Sequence, residues 1–271
     1  MKILVLGSNG MAGHMIVKYL KQQGHTVETC ARTDATYILD VEKTLTTLKN
    51  LVNKEFDYVI NSVGILIGEA NKNPSRAALI NSYFPHYLED TFCNSITRLI
   101  HFSTDCVFDG VKGNYIETDV HTEMNYYGRS KSLGEINNSK DVTFRMSIIG
   151  PELKTNGTGL MHWILNNPNT TLDGWDNAWW NGITTLQLAK CIETYMHNPI
   201  INGIYHLVNN EVNINKYELL YKINKIFNLN KTIRQTKGPK TVNKVLIDTK
   251  NSLDFNIPNY DQQLLELKEY L

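Results

Sequence analysis

The 271-residue sequence predicts an α/β fold, a doubly wound parallel sheet carrying a smaller C-terminal α/β lobe. Three observations carry that expectation. Short apolar runs alternate with helix-spaced segments, a glycine-rich turn joins the first run to the first helix, and the alternation loosens after Pro151. Strands alternating with helices of about 10–15 residues imply βαβ crossovers and a sheet covered on both faces.

The elements follow in order. Ile3-Leu4-Val5-Leu6 is an apolar run ending at glycine, a buried strand. Met11, Met15, Ile16, Tyr19 and Leu20 give helical spacing over 11–23, and Gly24 stops it. Strands are expected at 26–30, 58–60, 98–102 and 142–146, with helices at 41–52, 75–93 and 126–137 between them. Beyond Pro151, Asn, Gly and Trp crowd 166–185. Helical periodicity returns at 186–196, 217–227 and 262–271, with a strand at 204–208. The expected division is a nucleotide-binding domain over 1–150 and a lobe over 151–271, whose 185–200 segment packs back on the first unit.

Composition excludes several classes. Lys+Arg and Asp+Glu are both 27, and 42% of residues are hydrophobic. That is too apolar and too neutral for a disordered chain, and it lacks the basic footprint of a nucleic-acid binder. No run approaches the ~18 apolar residues of a membrane span, and the first apolar run is too short for a secretory leader. Cys30, Cys93, Cys106 and Cys191 form no C-x-x-C pair, so reduced thiols in a cytoplasmic protein are expected. Eight histidines show no H-x-H or H-E-x-x-H arrangement, and no metal is expected.

Gly7-Ser8-Asn9-Gly10-Met11-Ala12-Gly13 follows the first strand and opens the first helix. In a Rossmann-type sheet the first such glycine makes the tight turn, the second admits a pyrophosphate, and the third lets helix and strand pack closely. The helix N-terminus then offers unpaired N–H groups to the phosphates. Gly7, Asn9, Gly10, Met11 and Gly13 are therefore candidate cofactor contacts. Cofactor choice is made at the tip of the second strand, where an acid favours NADH and an arginine NADPH. Here Arg32 follows the strand and no acid stands at its tip, which favours NADPH, with NADH as the alternative. Asp40 and Val41 stand before the next helical run, where Asp40 either accepts from the adenine amino group or caps the helix.

Tyr127-Gly128-Arg129-Ser130-Lys131 is Y-x-x-x-K, which puts phenol and ammonium on one helix face. A neighbouring ammonium lowers a tyrosine pKa from about 10 and fits the pair for proton exchange with a carbonyl oxygen. Thr104 closes the expected fourth strand, at the end where a parallel sheet places its chemistry, and its hydroxyl would bind the same oxygen.

These motifs resemble the extended short-chain dehydrogenase/reductases, and within them the dTDP-4-dehydrorhamnose reductase branch, over nearly the whole chain. Ser103-Thr104-Asp105-Cys106-Val107-Phe108-Asp109-Gly110 is similar to that branch's S-T-D-Y-V-F-x-G, with Cys106 in place of the usual aromatic. Glu117-Thr118-Asp119 matches E-x-D, and Tyr127 to Glu135 matches Y-G-x-x-K-x-x-G-E. Asn61-Ser62-Val63-Gly64, Arg145-Met146-Ser147 and Gly203-Ile204-Tyr205-His206 stand at its N-A-A-A, R-T-S and G-x-Y-H segments. The resemblance implies reduction of a nucleoside-diphosphate 4-keto sugar. Tyr127 would give the proton to O4, Thr104 would bind that oxygen, and Lys131 would hold the nicotinamide ribose. Asn61, Ser62, Val63 and Gly64 would line the cofactor groove, and Asp105, Cys106 and Val107 would face the substrate.

Two departures matter. Met15 stands where some members carry a glutamate used in a metal-bridged dimer, so the resemblance implies no metal here, while leaving room for a homodimer. The stretch 174–184 carries Trp175, Trp179 and Trp180, an aromatic wall for a base or sugar or a packed core between lobes. A similar tryptophan-rich pattern resembles reductases of UDP-linked 6-deoxy-4-keto sugars, including the L-rhamnosamine route, and favours UDP over dTDP. Two rival functions are a nucleotide-sugar dehydratase or epimerase and a non-catalytic regulatory subunit. The dehydratases carry an Asp-Glu pair after the active-site threonine, whereas Asp105-Cys106 follows here, and Thr104, Tyr127 and Lys131 are all present.

Overall fold

The apolar runs of the first half become strands of a single sheet. The computed structural model describes residues 1–210, 212–250 and 253–271. In chain order it begins β1 (Lys2–Leu6), α1 (Met11–Gln22), β2 (Thr26–Ala31), β3 (Tyr37–Ile38), α2 (Thr46–Leu51) and β4 (Tyr58–Asn61). Then come α3 (Ile67–Lys72), α4 (Pro74–Ala77), a π-helical stretch (Ala78–Tyr83), α5 (Phe84–Phe92), β5 (Arg98–Thr104), α6 (Tyr126–Leu133) and β6 (Val142–Met146). The remainder is β7 (Ile148–Ile149), α7 (Leu160–Asn166), β8 (Thr171–Trp175), β9 (Ala178–Trp180), β10 (Ile183–Thr184), α8 (Thr185–His197), β11 (Gly203–His206), β12 (Ile214–Asn215), α9 (Lys216–Ile226), β13 (Thr232–Thr236), β14 (Val242–Asn243) and α10 (Tyr260–Tyr270).

The main sheet has the order β11-β6-β5-β4-β1-β2-β3, and every neighbouring pair is parallel. The order reverses between β1 and β4, so a ligand crevice lies at their carboxyl ends. One face buries Ile3, Val5, Ile60 and Phe144 under α1 and α8; the other buries Leu4, Leu6, Val59 and Leu99 under α2 and α5. The lobe has its own core around Met161, Leu172, Trp180, Leu219 and Leu264, into which Met15 of α1 also packs. No helix among the described residues is long and apolar enough to cross a membrane.

Four expectations change. The strand expected at 204–208 belongs to the main sheet, as β11 beside β6, not to the lobe. The helix expected over 41–52 begins only at Thr46, because Asp40 draws the chain into a turn: its carbonyl accepts from the amides of Lys43 and Thr44, and its carboxylate from that of Glu42. The long helix over 75–93 contains a π-helical stretch just before Pro85, which has no N–H to continue an α-helical ladder. The helix expected to reach Asn137 ends at Leu133, where the Gly134 amide turns back to the Ser130 and Lys131 carbonyls.

Gly13 places α1 against the first turn. A Cβ there would lie 2.2 Å from the Gly7 carbonyl oxygen and 2.9 Å from Ser8 Cα. Both are backbone atoms, so a methyl group displaces the loop itself. Overpacking typically costs about 1–3 kcal/mol. Gly13→Ala should lower the urea midpoint accordingly, with an unchanged midpoint as the contrary result.

Candidate active site

The glycine turn is built to leave space. Gly7 has φ +74°, its amide donates to the Cys30 carbonyl at 2.8 Å, and a Cβ on it would meet the Ser62 backbone at 2.9 Å. Gly10 differs: its Cβ would approach only the Gly7 carbonyl, at 3.2 Å, leaving its outer side open. Gly10 is the N-cap of α1 and supplies no side-chain cap, so the first N–H groups of the helix, beginning at Met11, keep their bonding capacity for a ligand. Ser8 Oγ is buried there without a hydrogen-bond partner. Asn9 Nδ2 donates to the Thr33 carbonyl at 2.8 Å and ties the turn to the segment after β2. An open glycine, an uncapped helix N-terminus and an orphaned hydroxyl fit a dinucleotide pyrophosphate.

Arg32 lies just past β2, exposed, with no ion-pair partner among the described residues. Asp40 holds its own turn and an ion pair with Lys43 at 3.6 Å, so it does not cap the helix. Val41 packs against the apolar cluster under α2 and α5, as does Val63. Across the crevice, Asn61 is buried; its side chain meets His101 Nδ1 at 3.1 Å and accepts from the Val63 amide at 3.1 Å. Ser62 Oγ donates to the Leu6 carbonyl at 2.5 Å. Asn61 and Ser62 thus spend their polar side chains on shaping the loop after β4, while Gly64 stays exposed at its end.

The sheet brings Thr104, Tyr127 and Lys131 to one place at the carboxyl end of β5. Thr104 Oγ1 donates to Asp105 Oδ1 at 3.1 Å and accepts from the Cys106 amide at 3.1 Å. Its hydroxyl also lies beside the Tyr127 phenol. Burial pushes the phenol above its ordinary pKa, reinforced by Cys106 and Asp105 against the lowering effect of Thr104. Lys131 Nζ donates to the Phe102 carbonyl at 2.5 Å, and burial pulls its pKa down to about 8 against the pull of Glu135. The expectation that Lys131 lowers the phenol pKa is therefore corrected: in this state desolvation dominates, and Tyr127 is a protonated donor at neutral pH.

Two glycines set α6 in position. A Cβ at Gly128 would lie 2.3 Å from the Cys106 carbonyl oxygen, and one at Gly134 would lie 1.9 Å from that of Asn81. Asn81, not singled out from sequence, is fully buried in the π-helical stretch. It accepts from the Ile65 amide at 3.0 Å and donates to the Ile65 carbonyl at 3.1 Å and to Ser130 Oγ at 3.2 Å. It joins the loop after Gly64 to the helix of Tyr127. Beyond Gly134, Glu135 turns inward, bound by Ser103 Oγ at 2.5 Å and by both Nε and Nη2 of buried Arg145 at 2.9 and 2.8 Å.

The substrate side holds surprises. Asp105 is buried, and burial pushes the Cys106 thiol up to about 12. Lys216, the first residue of α9, lies with Nζ 4.8 Å from the centre of the Trp180 ring; burial lowers its pKa, opposed by Asp105 and Cys106. Lys244 Nζ pairs with Glu123 at 3.2 Å. Burial depresses this lysine, but Cys106, Asp105 and Glu123 carry it above its ordinary value. Neither lysine carries a motif; the lobe topology alone brings them here. Val107 is corrected: its side chain is fully buried with Phe108, Tyr115, Val208 and Leu246, and so is unavailable to a substrate. Trp180 is only 4% exposed and stacks on Tyr260 with ring centres 5.6 Å apart, a core residue of the lobe. Trp175 and Trp179 are 46% and 38% exposed, and Trp175 lies against Gly238.

Comparison with known proteins decides the family. The model described as "RmlD substrate binding domain" matches residues 1–246. The chain belongs to the RmlD substrate-binding domain family. A probable low-salt glycan biosynthesis reductase of Haloferax volcanii is 32% identical over 50% of this chain and 48% of its own length. A dTDP-4-dehydrorhamnose reductase of Burkholderia thailandensis is 34% identical over 50% and 45%. The chain thus spans about half the length of these two curated relatives. Among solved structures, a dTDP-4-dehydrorhamnose reductase of Bacillus anthracis in complex with NADP superposes with TM-score 0.84 at 18% identity, over 100% of this chain and 99% of that one. This likeness establishes the fold.

The buried lysine supplies a pH test. Lys131 titrates near 8 in the folded chain and from the ordinary 10.5 when unfolded. Between these values the unfolded state binds more protons, so this group's penalty is full below 8 and fades as pH rises. In Lys131→Met the gain in unfolding free energy over wild type should shrink between pH 8 and 10.5. A gain constant across that window would show no such depression.

Proposed function

We propose that this member of the RmlD substrate-binding domain family is an NADPH-dependent reductase of the C4 ketone of a nucleoside-diphosphate 4-keto-6-deoxyhexose. The observation that carries the reading is the placement of Tyr127 beside Thr104 at the carboxyl end of β5, with burial holding the phenol protonated. A reduction needs a proton donor at the carbonyl oxygen, and this is one. Bound NADPH supplies the hydride for C4. Tyr127 donates its proton to O4, and the Thr104 hydroxyl bonds that oxygen. The uncapped start of α1 with Gly7, Gly10 and Gly13 holds the pyrophosphate. Arg32 holds the 2′-phosphate, and Lys131 leaves the Phe102 carbonyl for the nicotinamide ribose.

On the sugar-nucleotide side, Asp105 and Cys106 border the reacting carbon. Lys216 has no ion-pair partner among the described residues, which suits it to an anionic diphosphate. Exposed Trp175 and Trp179 suit a base or sugar face. The tryptophan-rich 174–184 stretch favours uridine over thymidine as the nucleoside.

The test is loss of NADPH absorbance in the near ultraviolet with freshly made UDP- and dTDP-linked 4-keto-6-deoxyhexoses. Turnover of the UDP sugar above the dTDP sugar is expected; no oxidation with either overturns the reading. General acid catalysis is worth about 10²–10⁴ in rate. Tyr127→Phe should lose turnover by that factor with NADPH binding retained, and an unchanged rate would remove Tyr127 as donor. A hydrogen bond to a charged group contributes about 1.5–3 kcal/mol. Arg32→Ala should therefore raise the NADPH Kd by at least about tenfold and leave that of NADH nearly unchanged. Equal effects on both would place Arg32 away from the 2′-phosphate.

A further inference from the structure

The end of the sheet opposite the crevice carries a second cluster. His25 sits in the turn between α1 and β2, and Glu193 and His197 lie one turn apart at the end of α8. His25 Nε2 is 3.1 Å from both carboxylate oxygens of Glu193, and His197 Nε2 is 3.0 Å from Oε1 of the same group. The three ligand atoms all lie within 4.8 Å of one another. Two imidazole nitrogens and one carboxylate thus converge from two separate elements. His25 and Glu193 have side chains 6% and 17% exposed, whereas His197 is 62% exposed and open to solvent.

We infer that His25, Glu193 and His197 form a structural binding site for a divalent transition metal of the zinc type. The donor set, two histidines and one carboxylate, is one that zinc takes, with a fourth position left for water. Bond lengths of about 2.0–2.2 Å to tetrahedral zinc place ligand atoms about 3.4 Å apart. The two histidine–glutamate separations are already close to that value. Only His197 has to move toward His25, and its exposure on the last turn of α8 leaves it free to do so. Nε2 of His25 is the ring nitrogen that faces Glu193, and so the one aimed at the metal. Binding would displace the Nε2 protons now shared with Glu193. It would clamp the α1–β2 turn to α8, far from Thr104 and Tyr127, so the site is structural rather than catalytic.

The experiment titrates zinc chloride into the chelator-stripped full chain, followed by calorimetry and thermal unfolding. One equivalent bound and a raised Tm are expected. Cobalt(II) in its place should give the visible absorption of a tetrahedral site. Even groups one step removed from a metal are worth about 10–100-fold in affinity, so His197→Ala, a change at an exposed position, should weaken zinc binding at least about tenfold and abolish the Tm rise. His25→Gln should do the same. No heat and no Tm change in the wild type would overturn the proposal, as would zinc binding of equal strength in wild type and His197→Ala.

Discussion

The ion pair between Glu135 and Arg145 holds the corner of the molecule where its candidate chemistry sits. Glu135 is the second residue past α6, and Arg145 is the last residue but one of β6. Burial pushes the Glu135 carboxyl up, but the hydrogen bonds and charge of Arg145 bring it below the usual carboxylate range. Its Oε1 takes the Ser103 hydroxyl, one residue before Thr104. On the other side, Arg145 Nη1 meets His206 Nε2 at 2.9 Å and Nη2 meets His121 Nε2 at 2.9 Å. Burial and Arg145 press His206 down to about 4, so it faces the guanidinium as a neutral acceptor. Five parts of the chain meet at one pair: the end of β5, the segment at His121, the turn after α6, β6 and β11. Removing one partner from a buried pair costs about 3–5 kcal/mol, more than most single contacts, and here the loss falls on the strand that carries Thr104.

Position, more than charge, distinguishes Tyr127. The helix that bears it is held on two sides by contacts that exclude a methyl group, at Gly128 against the Cys106 carbonyl and at Gly134 against that of Asn81. Asn81 links that helix to the loop after β4, so the two walls of the crevice share one buried amide. Lys216 and Lys244 reach the same crevice from the lobe, and Lys216 does so across the face of Trp180. The tryptophan serves both as packing, against Tyr260, and as a platform for the Lys216 cation.

Much of this was legible in the sequence. Parallel strands buried on both faces read as unbroken apolar runs, and the glycine spacing after β1 and the Tyr127–Lys131 pair carry local geometry in their spacing. What stayed illegible depends on distant partners. Asn81 looks like any helical asparagine until a π-helical stretch turns it inward. His25 and Glu193 are 168 residues apart, so no spacing rule unites them. The expected lowering of the Tyr127 pKa failed because burial, which a sequence does not display, outweighs a lysine already engaged by a carbonyl. Val107 failed for a related reason: its side chain, with that of Phe108, closes a small core.

The place of β11 in the main sheet has a consequence for how the chain acquires its structure. When β6 has been synthesised, its outer edge is unpaired, and it stays so until Gly203–His206 arrives. An open apolar edge in a parallel sheet is a template for pairing with other chains, and parallel pairing over long separations is slow. The lobe segments made in between must therefore stay out of the way of that edge while the sheet waits for its last strand. The two halves of the molecule are then a single folding unit, completed from the far side of the lobe.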